Sequence, residues 1–155
     1  MNRVAQSPLV AEELPVVDEE TALHILLAEP NAELRRLMTF VLQHEGHSVV
    51  ATKDGGELLE ALARGLLDRG CRPFDLIICN HAIPGIPGLS VLAGLRARDR
   101  STAFIMLTDN TTVQLHAERL GAVILDGPLT VDSIRDAIFQ TGQLARSALG
   151  LPSLA

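Results

Sequence analysis

Five short apolar runs alternate along the chain with five segments whose apolar residues recur at helical spacing. The run FDLIIC is continuously apolar apart from one aspartate, which is typical of a strand buried on both faces. Strict alternation of strands and helices predicts one parallel sheet that is covered by helices on both sides. The predicted strands lie within ALHILLAEPN, SVVAT, FDLIIC, AFIML and AVIL.

The predicted helices have recognisable ends and apolar faces. Asn31 suits the N-cap of the first helix, and Gly46 suits its C-terminal stop. Gly70 and Gly121 mark the ends of the second and fourth helices, and the fifth is predicted from Asp132 to about Ala148. The inward faces are predicted at Leu34, Leu37, Met38, Val41 and Leu42 in the first helix, at Leu58, Leu59, Leu62, Leu66 and Leu67 in the second, and at Ile134, Ala137, Ile138 and Thr141 in the fifth.

Charge is concentrated at the start of the chain. The 155 residues carry a net charge of −6, of which the first 22 residues contribute −4 through five carboxylates and Arg3. We predict a flexible acidic arm over residues 1–21, one folded domain over 22–142, and a tail over 143–155 that extends the last helix, packs on the domain, binds a partner or frays. The chain has no basic footprint, no Trp and no Tyr, which argues against a nucleic-acid partner.

The cysteines and the apolar runs limit the cellular context. Cys71 and Cys79 do not form a disulfide framework, and Cys79 is predicted to be a small buried hydrophobe. No apolar stretch reaches the roughly 20 residues that span a bilayer, and the N-terminus lacks an apolar signal core. We therefore expect a cytoplasmic protein with no membrane contact.

The residues around the predicted strand ends resemble those of a known signalling family. ILLAEPN, FDLIICNHAIPGIPGLSVLAGLR, FIMLT and GAVILDGPL are similar to segments of the receiver domain of bacterial two-component response regulators. The resemblance covers roughly residues 23–142, and the run with Pro84, Gly85 and Gly88 is its most diagnostic part. It implies a doubly wound, flavodoxin-like (βα)5 fold with its site at the carboxyl ends of the strands.

The resemblance also assigns roles to positions at those strand ends. Family receivers carry an acidic pair for Mg²⁺, an aspartate that accepts phosphate from a histidine kinase, a phosphate-sensing Thr or Ser, and a Lys before a Pro. The matching positions here hold Glu29 and Pro30 for the pair, Asn80 for the acceptor, Thr108 for the sensing hydroxyl, Gly127 and Pro128 for Lys-Pro, and Asp109 where a small residue usually follows the Thr.

These departures agree with one another. Asn80 has no carboxylate to phosphorylate, and Pro30 offers no carboxylate for a hard cation. Gly127 removes the cationic partner, while Glu29 and Asp109 leave an acidic remnant of the pocket. The sequence predicts a degenerate receiver, or pseudo-receiver, with no metal and no cofactor.

Three functions follow from this interpretation. The first is a phosphorylation-independent adaptor of two-component signalling. The second is a receiver-like sensor that binds another small ligand in the degenerate pocket, although no cationic group is evident there. The third is an enzyme or cofactor binder of flavodoxin type, but the sequence lacks a phosphate loop and flavin-stacking aromatics.

Isolated histidines such as His81 are predicted to be loop residues rather than metal ligands. We therefore expect no enzymatic activity.

The expected partners are proteins. The resemblance implies a histidine kinase, a phosphotransfer protein or another regulator, or a homodimer through the face of the fourth helix, fifth strand and fifth helix. On that face the family's switching aromatic is replaced by an aliphatic residue around Ile124, which predicts a surface fixed in one state.

Overall fold

The computed structural model describes residues 22–67 and 73–148, which form one parallel sheet with helices on both faces. The strands are β1 (His24–Ala28), β2 (Ser48–Thr52), β3 (Leu76–Asn80), β4 (Ala103–Leu107) and β5 (Val123–Leu125). The helices are α1 (Ala32–His44), α2 (Gly55–Leu67), α3 (Gly88–Arg96), α4 (Thr111–Arg119) and α5 (Val131–Ala148). The strand order is β2-β1-β3-β4-β5, which confirms the predicted five-stranded, doubly wound α/β fold.

Alternate residues of the strands supply two separate cores. Because successive side chains of a strand point to opposite faces, β3 sends Leu76 and Ile78 to one side and Ile77 and Cys79 to the other. The core on the first side is completed by Met38 and Leu42 of α1 and by Ile134 and Ala137 of α5. The core on the second side is completed by Leu58 of α2, Leu92 of α3, and Val113 and Ala117 of α4.

The buried faces of the helices are narrower than the predicted ones. In α1 Met38 and Leu42 are buried as predicted, but Leu37 is 55% exposed. In α2 Leu58 is buried, whereas Leu59 is 42% exposed. Both exposed leucines lie at least 100° around the helix from the centre of the buried stripe, beyond the arc that a helix buries against one sheet.

The start of the third strand differs from the prediction. The third strand was expected over residues 74–79, but β3 begins at Leu76 because Phe74 stacks on His24 and the carboxylate of Asp75 accepts a hydrogen bond from the His24 amide. Asn80 is consequently the last residue of the strand itself. Helix α5 ends at Ala148, as the sequence predicted, and the domain limits of 22–142 stay a prediction.

The predicted helix caps are observed where the structure describes them. The side chain of Asn31 accepts a hydrogen bond from the amide of Leu34 at the start of α1. Gly46 and Gly121 adopt the positive φ that ends a helix with little strain, at 95° and 81°. The arm over residues 1–21, Gly70, Cys71 and residues 149–155 lie outside the described residues.

The topology fixes where a site belongs. β1 pairs with β2 on one side and β3 on the other, so the strand order reverses between β1 and β3. In such sheets ligands bind in the crevice at the carboxyl ends of the strands at this reversal.

None of the described helices has the length and apolar character that crossing a membrane requires.

Candidate functional site

Glu29 is a buried carboxylate directly after β1. The residue is 1% exposed, and its backbone amide donates to the carbonyl of Thr52, the last residue of the adjacent strand β2. The carboxylate accepts two hydrogen bonds, one per oxygen. The amide of Asn31 donates to Oε2 at 2.9 Å, and Nδ2 of Asn80 donates to Oε1 at 2.9 Å. A buried carboxylate needs such donors, because an unpaired charge in an apolar interior is costly.

Asn80 joins the ends of β1 and β3 through its side chain. While Nδ2 donates to Glu29, Oδ1 accepts a hydrogen bond from the amide of Ala82 at 2.8 Å. The second contact closes an Asx turn, which fixes the first bend of the loop after β3. Both ends of the Asn80 amide are therefore engaged within the protein.

Arg35 is a cation beside this cluster that sequence analysis did not identify. Its Nη1 donates to the backbone carbonyls of Glu29 at 2.8 Å and Pro30 at 3.3 Å. Arg35 lies one turn after Asn31 on α1, so only the position of that N-cap relative to the end of β1 could have indicated the contact. The guanidinium stabilises the β1–α1 turn from behind.

Thr108 belongs to a second network at the end of β4. Its Oγ1 accepts a hydrogen bond from the amide of Asn110, and its carbonyl accepts one from Nε2 of Gln114. The same Nε2 lies 3.1 Å from Oδ2 of Asp126, so Gln114 links the loops that follow β4 and β5. Gln114 and Asp126 were also missed, because a half-buried glutamine on a helix carries no signal of its own.

The remaining predicted site residues lie around the rim and do not join the cluster. Asp109 is exposed, and no hydrogen bond connects its side chain to Glu29 or Asn80 in the part of the chain that the structure describes. Gly127 and Pro128 are exposed after β5. Gly127 has a φ of 75°, a left-handed conformation that glycine adopts readily and a lysine would adopt only with strain.

The interior beneath the site is apolar and tightly packed. Burial, followed by the negative charge of Glu29, raises the pKa of the Cys79 thiol to about 12, so this cysteine is an inert core residue at neutral pH. At the start of α3, a Cβ on Gly88 would lie 2.9 Å from Cα of His81 and 3.1 Å from Sγ of Cys79. The loop after β3 can pack against Cys79 and the residues around it only because residue 88 has no side chain.

These side chains do not fit a Mg²⁺ ion of the kind that receivers hold. Mg²⁺ prefers six oxygens in octahedral geometry and usually takes one or two carboxylates from the protein. At the reversal point the protein offers the carboxylate of Glu29, and both of its oxygens already accept hydrogen bonds. Pro30 has no ligand atom in its side chain, and no three His, Cys, Asp or Glu side chains group as metal ligands within residues 22–67 and 73–148.

A doubly wound parallel sheet with a polar cluster at its reversal point is the architecture expected of a receiver-type signalling module. The profile of the response regulator receiver domain matches residues 25–138, which is most of the chain. The chain therefore belongs to the response regulator receiver domain family, the receiver modules of two-component signal transduction.

Two curated proteins are similar to the chain in sequence. It is 33% identical over 90 residues to the uncharacterized transcriptional regulatory protein YkoG of Bacillus subtilis, a match that covers 58% of this chain and 36% of YkoG. It is 30% identical over 135 residues to the sensor histidine kinase AruS of Pseudomonas aeruginosa, which covers 83% of this chain and 13% of AruS. The chain thus spans less than half the length of both curated relatives.

Solved structures show the same fold. The crystal structure of a response regulator receiver domain protein from Clostridium thermocellum superposes with a TM-score of 0.70 at 21% sequence identity. The superposition covers 83% of this chain and 99% of that chain. At this level of identity the similarity supports the architecture and carries no further functional information.

Proposed function

We propose that this chain is a pseudo-receiver that acts as a phosphorylation-independent adaptor between proteins of two-component signalling. The observation that carries the proposal is the hydrogen bond from Nδ2 of Asn80 to Oε1 of Glu29. An ionised aspartate at position 80 would repel Glu29 and would need a cation between the two carboxylates. The asparagine instead donates a hydrogen bond to that carboxylate, so the cluster is complete without a metal or a phosphoryl group.

The charges around the rim support the same conclusion. A phosphoryl group carries about two negative charges at neutral pH. It would meet Glu29, Asp109 and Asp126, while Gly127 supplies no cation. The guanidinium of Arg35 is held by backbone carbonyls on the α1 side of the cluster. The site therefore disfavours a dianion.

Exposure to a phosphoryl donor tests this half of the proposal. The ¹⁵N-labelled chain is incubated with Mg²⁺ and acetyl phosphate, and separately with Mg²⁺ and beryllofluoride. We expect no increase in intact mass and no shift of the amide signals of residues 80–83 and 108–110. A phosphorylatable receiver treated in parallel verifies the reagents. A mass increase by one phosphoryl group, or a saturable shift at those amides, would refute phosphorylation independence.

The adaptor half of the proposal rests on the helices α1 and α5. Leu37 and Phe40 of α1 and Phe139 of α5 are more than half exposed, and large exposed apolar side chains are available for contact with a partner. Arg135 of α5 holds the two helices together through a two-pronged contact with Glu45, which lowers the pKa of that carboxyl. We take a histidine kinase, a phosphotransfer protein or another regulator as the partner of this face.

Affinity capture from the native host tests the partner class. The tagged full-length chain is compared with Phe40→Ser on α1 and with Leu115→Ser on α4 as the matched control, since both residues are exposed apolar side chains on helices. We expect a two-component protein in the eluate of the wild type and the control, in equal amount with and without acetyl phosphate, and its loss from the Phe40→Ser eluate. Equal capture by both variants, or capture that requires acetyl phosphate, would refute the proposal.

Self-association is proposed through the other face, formed by α4, β5 and α5. Leu115 of α4 is 58% exposed there, and Ile124 of β5 is partly buried against the core. Sedimentation equilibrium of the wild type and of Leu115→Ser measures it. A dimer that Leu115→Ser dissociates and Phe40→Ser does not is the expected result, and a monomer at high protein concentration contradicts it.

A further inference from the structure

A basic groove lies at the end of the molecule opposite the Asn80 cluster. It has a volume of about 770 Å³, and it is formed where the loop between α3 and β4 meets the loop between α4 and β5 and the last turns of α5. Its lining includes four arginines against a single aspartate, Asp99. The arginines are Arg96, Arg98, Arg100 and Arg119.

One arginine builds the groove and three are available to bind a partner. Arg96 donates to the carbonyl of Leu120 at 2.7 Å and to that of Thr102 at 2.8 Å, and these contacts tie the two loops together. The guanidinium groups of Arg98, Arg100 and Arg119 form no ion pair with any of the residues described. Their positive charge is therefore not compensated within the described fold.

The single acidic group of the groove does not neutralise them. The carboxylate of Asp99 accepts hydrogen bonds from the amide and hydroxyl of Ser101 and from the hydroxyl of Thr102. Beside the arginines, the side chain of Leu144 is 49% exposed and adds an apolar contact point. The groove thus calls for an anionic segment that also carries aliphatic side chains.

The chain itself contains such a segment. AEELPVVDEE, residues 11–20, holds five carboxylates, and Leu14, Val16 and Val17 lie among them. The side chains of the C-terminal residues LGLPSLA are uncharged, so they offer the arginines no carboxylate cluster comparable to that of the arm. Charge complementarity therefore favours the acidic arm over the tail as the occupant of the groove.

The position at which the arm enters the fold places it within reach. The amide of Asp75 donates to the carbonyl of His24 at the start of β1, and the amide of Ala103 donates to the carbonyl of Asp75. Ala103 lines the groove, so two strand spacings, about 10 Å, separate the start of β1 from the groove. An extended chain spans about 3.3 Å per residue, so the ten residues before Ala22 reach about 30 Å.

We propose that the acidic segment of residues 12–20 docks in the basic groove of the same chain. The contact joins the arm to both loops and to α5, while it leaves the Asn80 cluster uncovered. Because the two partners are tethered, even a weak contact is populated at the millimolar effective concentrations of short linkers. The inference is independent of the proposed function, since it makes no use of the state of Asn80.

Amide spectra of full-length chains test the proposal. The wild type is compared with a variant whose arm is neutral, E12Q/E13Q/D18N/E19Q/E20Q. At an ionic strength of about 0.01 M we expect amide shift differences at residues 98–102 and 119–121. At about 1 M, where the Debye length falls from about 30 Å to about 3 Å, the difference should vanish. Identical spectra at low ionic strength would overturn the proposal.

Two further backgrounds separate the groove from general charge effects. Neutralising the arm in an R98Q/R100Q/R119Q background should produce no shift at those amides. Neutralising it in R36Q/K53Q/R64Q, which removes three positive charges that do not line the groove, should produce the full shift. The reverse pattern overturns the proposal. A shift that grows with protein concentration overturns it in favour of docking by a second copy.

Discussion

Asn80 supplies a hydrogen-bond donor at the end of β3, which an ionised carboxylate in the same place could not supply. Its amide donates to the buried Glu29 and accepts from the amide of Ala82, so a single side chain satisfies one acceptor and one donor. A carboxylate is isosteric with this amide, but when ionised it can only accept. At position 80, therefore, the presence of one hydrogen-bond donor decides whether the side chain stabilises or repels the Glu29 carboxylate.

Asn80→Asp is expected to destabilise the fold. The change removes the donor to Glu29 and brings two carboxylates into contact, so the free energy of unfolding should fall by about 3 kcal/mol at pH 7. Repulsion raises the pKa of one carboxyl above its unfolded value, so the loss is present above that raised pKa and shrinks as the pH falls toward about 4. Urea unfolding at several pH values measures both effects.

Asn110→Asp is the matched control for that variant. Asn110 caps α4 by accepting from the amide of Val113, and Asp caps a helix as well as Asn does. The same chemical change should therefore alter stability by less than about 0.5 kcal/mol. Equal losses in the two variants would show that the Asn80–Glu29 contact contributes nothing specific.

Asp99→Asn tests a second carboxylate, whose folded pKa is depressed. Burial by itself raises the pKa of Asp99, but the hydroxyls of Thr102 and Ser101 and their amides outweigh it and lower the value from 3.8 to about 2. A depressed pKa contributes stability above pH about 4 that is lost as the pH falls toward 2.

The expected cost of Asp99→Asn at pH 7 is about 1 kcal/mol after allowance for solvent screening. Denaturant unfolding at pH 7, 5, 4 and 3 should show the gap between variant and wild type closing below pH 4. Asp136→Asn, on the exposed surface of α5, provides the reference for loss of one surface carboxylate. A gap that stays constant with pH would contradict the assignment.

At the scale of the elements, α3 can begin where it does because residue 88 is glycine. In Gly88→Ala the new Cβ would meet backbone of His81 at 2.9 Å and Sδ of Met106 at 3.1 Å, so the loop or the helix must shift. Such overpacking should lower the free energy of unfolding by about 1–3 kcal/mol.

Gly94→Ala in the same helix is the matched control for Gly88→Ala. Nothing lies within 4 Å of a Cβ at Gly94, so the change should stabilise the chain by about 0.5–1 kcal/mol through helix propensity. Thermal unfolding should therefore show shifts of opposite sign. Stabilisation by both substitutions would refute the tight packing at the start of α3.

The sequence was most informative where a single local rule decides the structure. Short apolar runs predicted every strand of the sheet, and Asn31 marked the start of α1, because hydrophobic pattern and capping are local properties. The exposure of Leu37 depends on how α1 sits on the sheet, and the contacts of Arg35 and Gln114 join residues of different elements. No local pattern encodes such contacts, so the supporting shell of the site was not predicted.

In the described part of the molecule, charge is unevenly distributed between the two ends of the sheet, although the cations Arg35 and Lys53 lie at the carboxyl ends of the strands. Glu29, Asp109 and Asp126 surround the carboxyl ends of the strands, whereas the arginines of the basic groove surround the amino ends of β4 and β5. The three carboxylates disfavour an anion near the Asn80 cluster, whereas the arginines of the basic groove favour one at the opposite end. Phosphoryl chemistry at the carboxyl ends of the strands requires cations there, whereas this chain places Glu29, Asp109 and Asp126 at that end.

Carboxylates introduced at positions 30 and 80 should allow the fold to bind a metal ion. Pro30→Asp and Asn80→Asp together would place three carboxylates at the reversal point between β1 and β3. Without metal, the double variant should be less stable than wild type, because the like charges repel. With Mg²⁺ at about 100 times its Kd, binding should restore about 2.7 kcal/mol, a rise in Tm on the order of 10 °C.

Thermal unfolding with MgCl₂ and with NaCl at matched ionic strength measures that rise. The wild type and the single variant Pro30→Asp should show no Mg²⁺-specific change in Tm, since Asn80 continues to donate to Glu29 in both. A Mg²⁺-dependent rise in the wild type would mean that its own side chains already bind the ion. No rise in the double variant would mean that positions 30 and 80 do not converge on one site. Only a rise confined to the double variant agrees with a receiver fold whose metal site was lost through these two side chains.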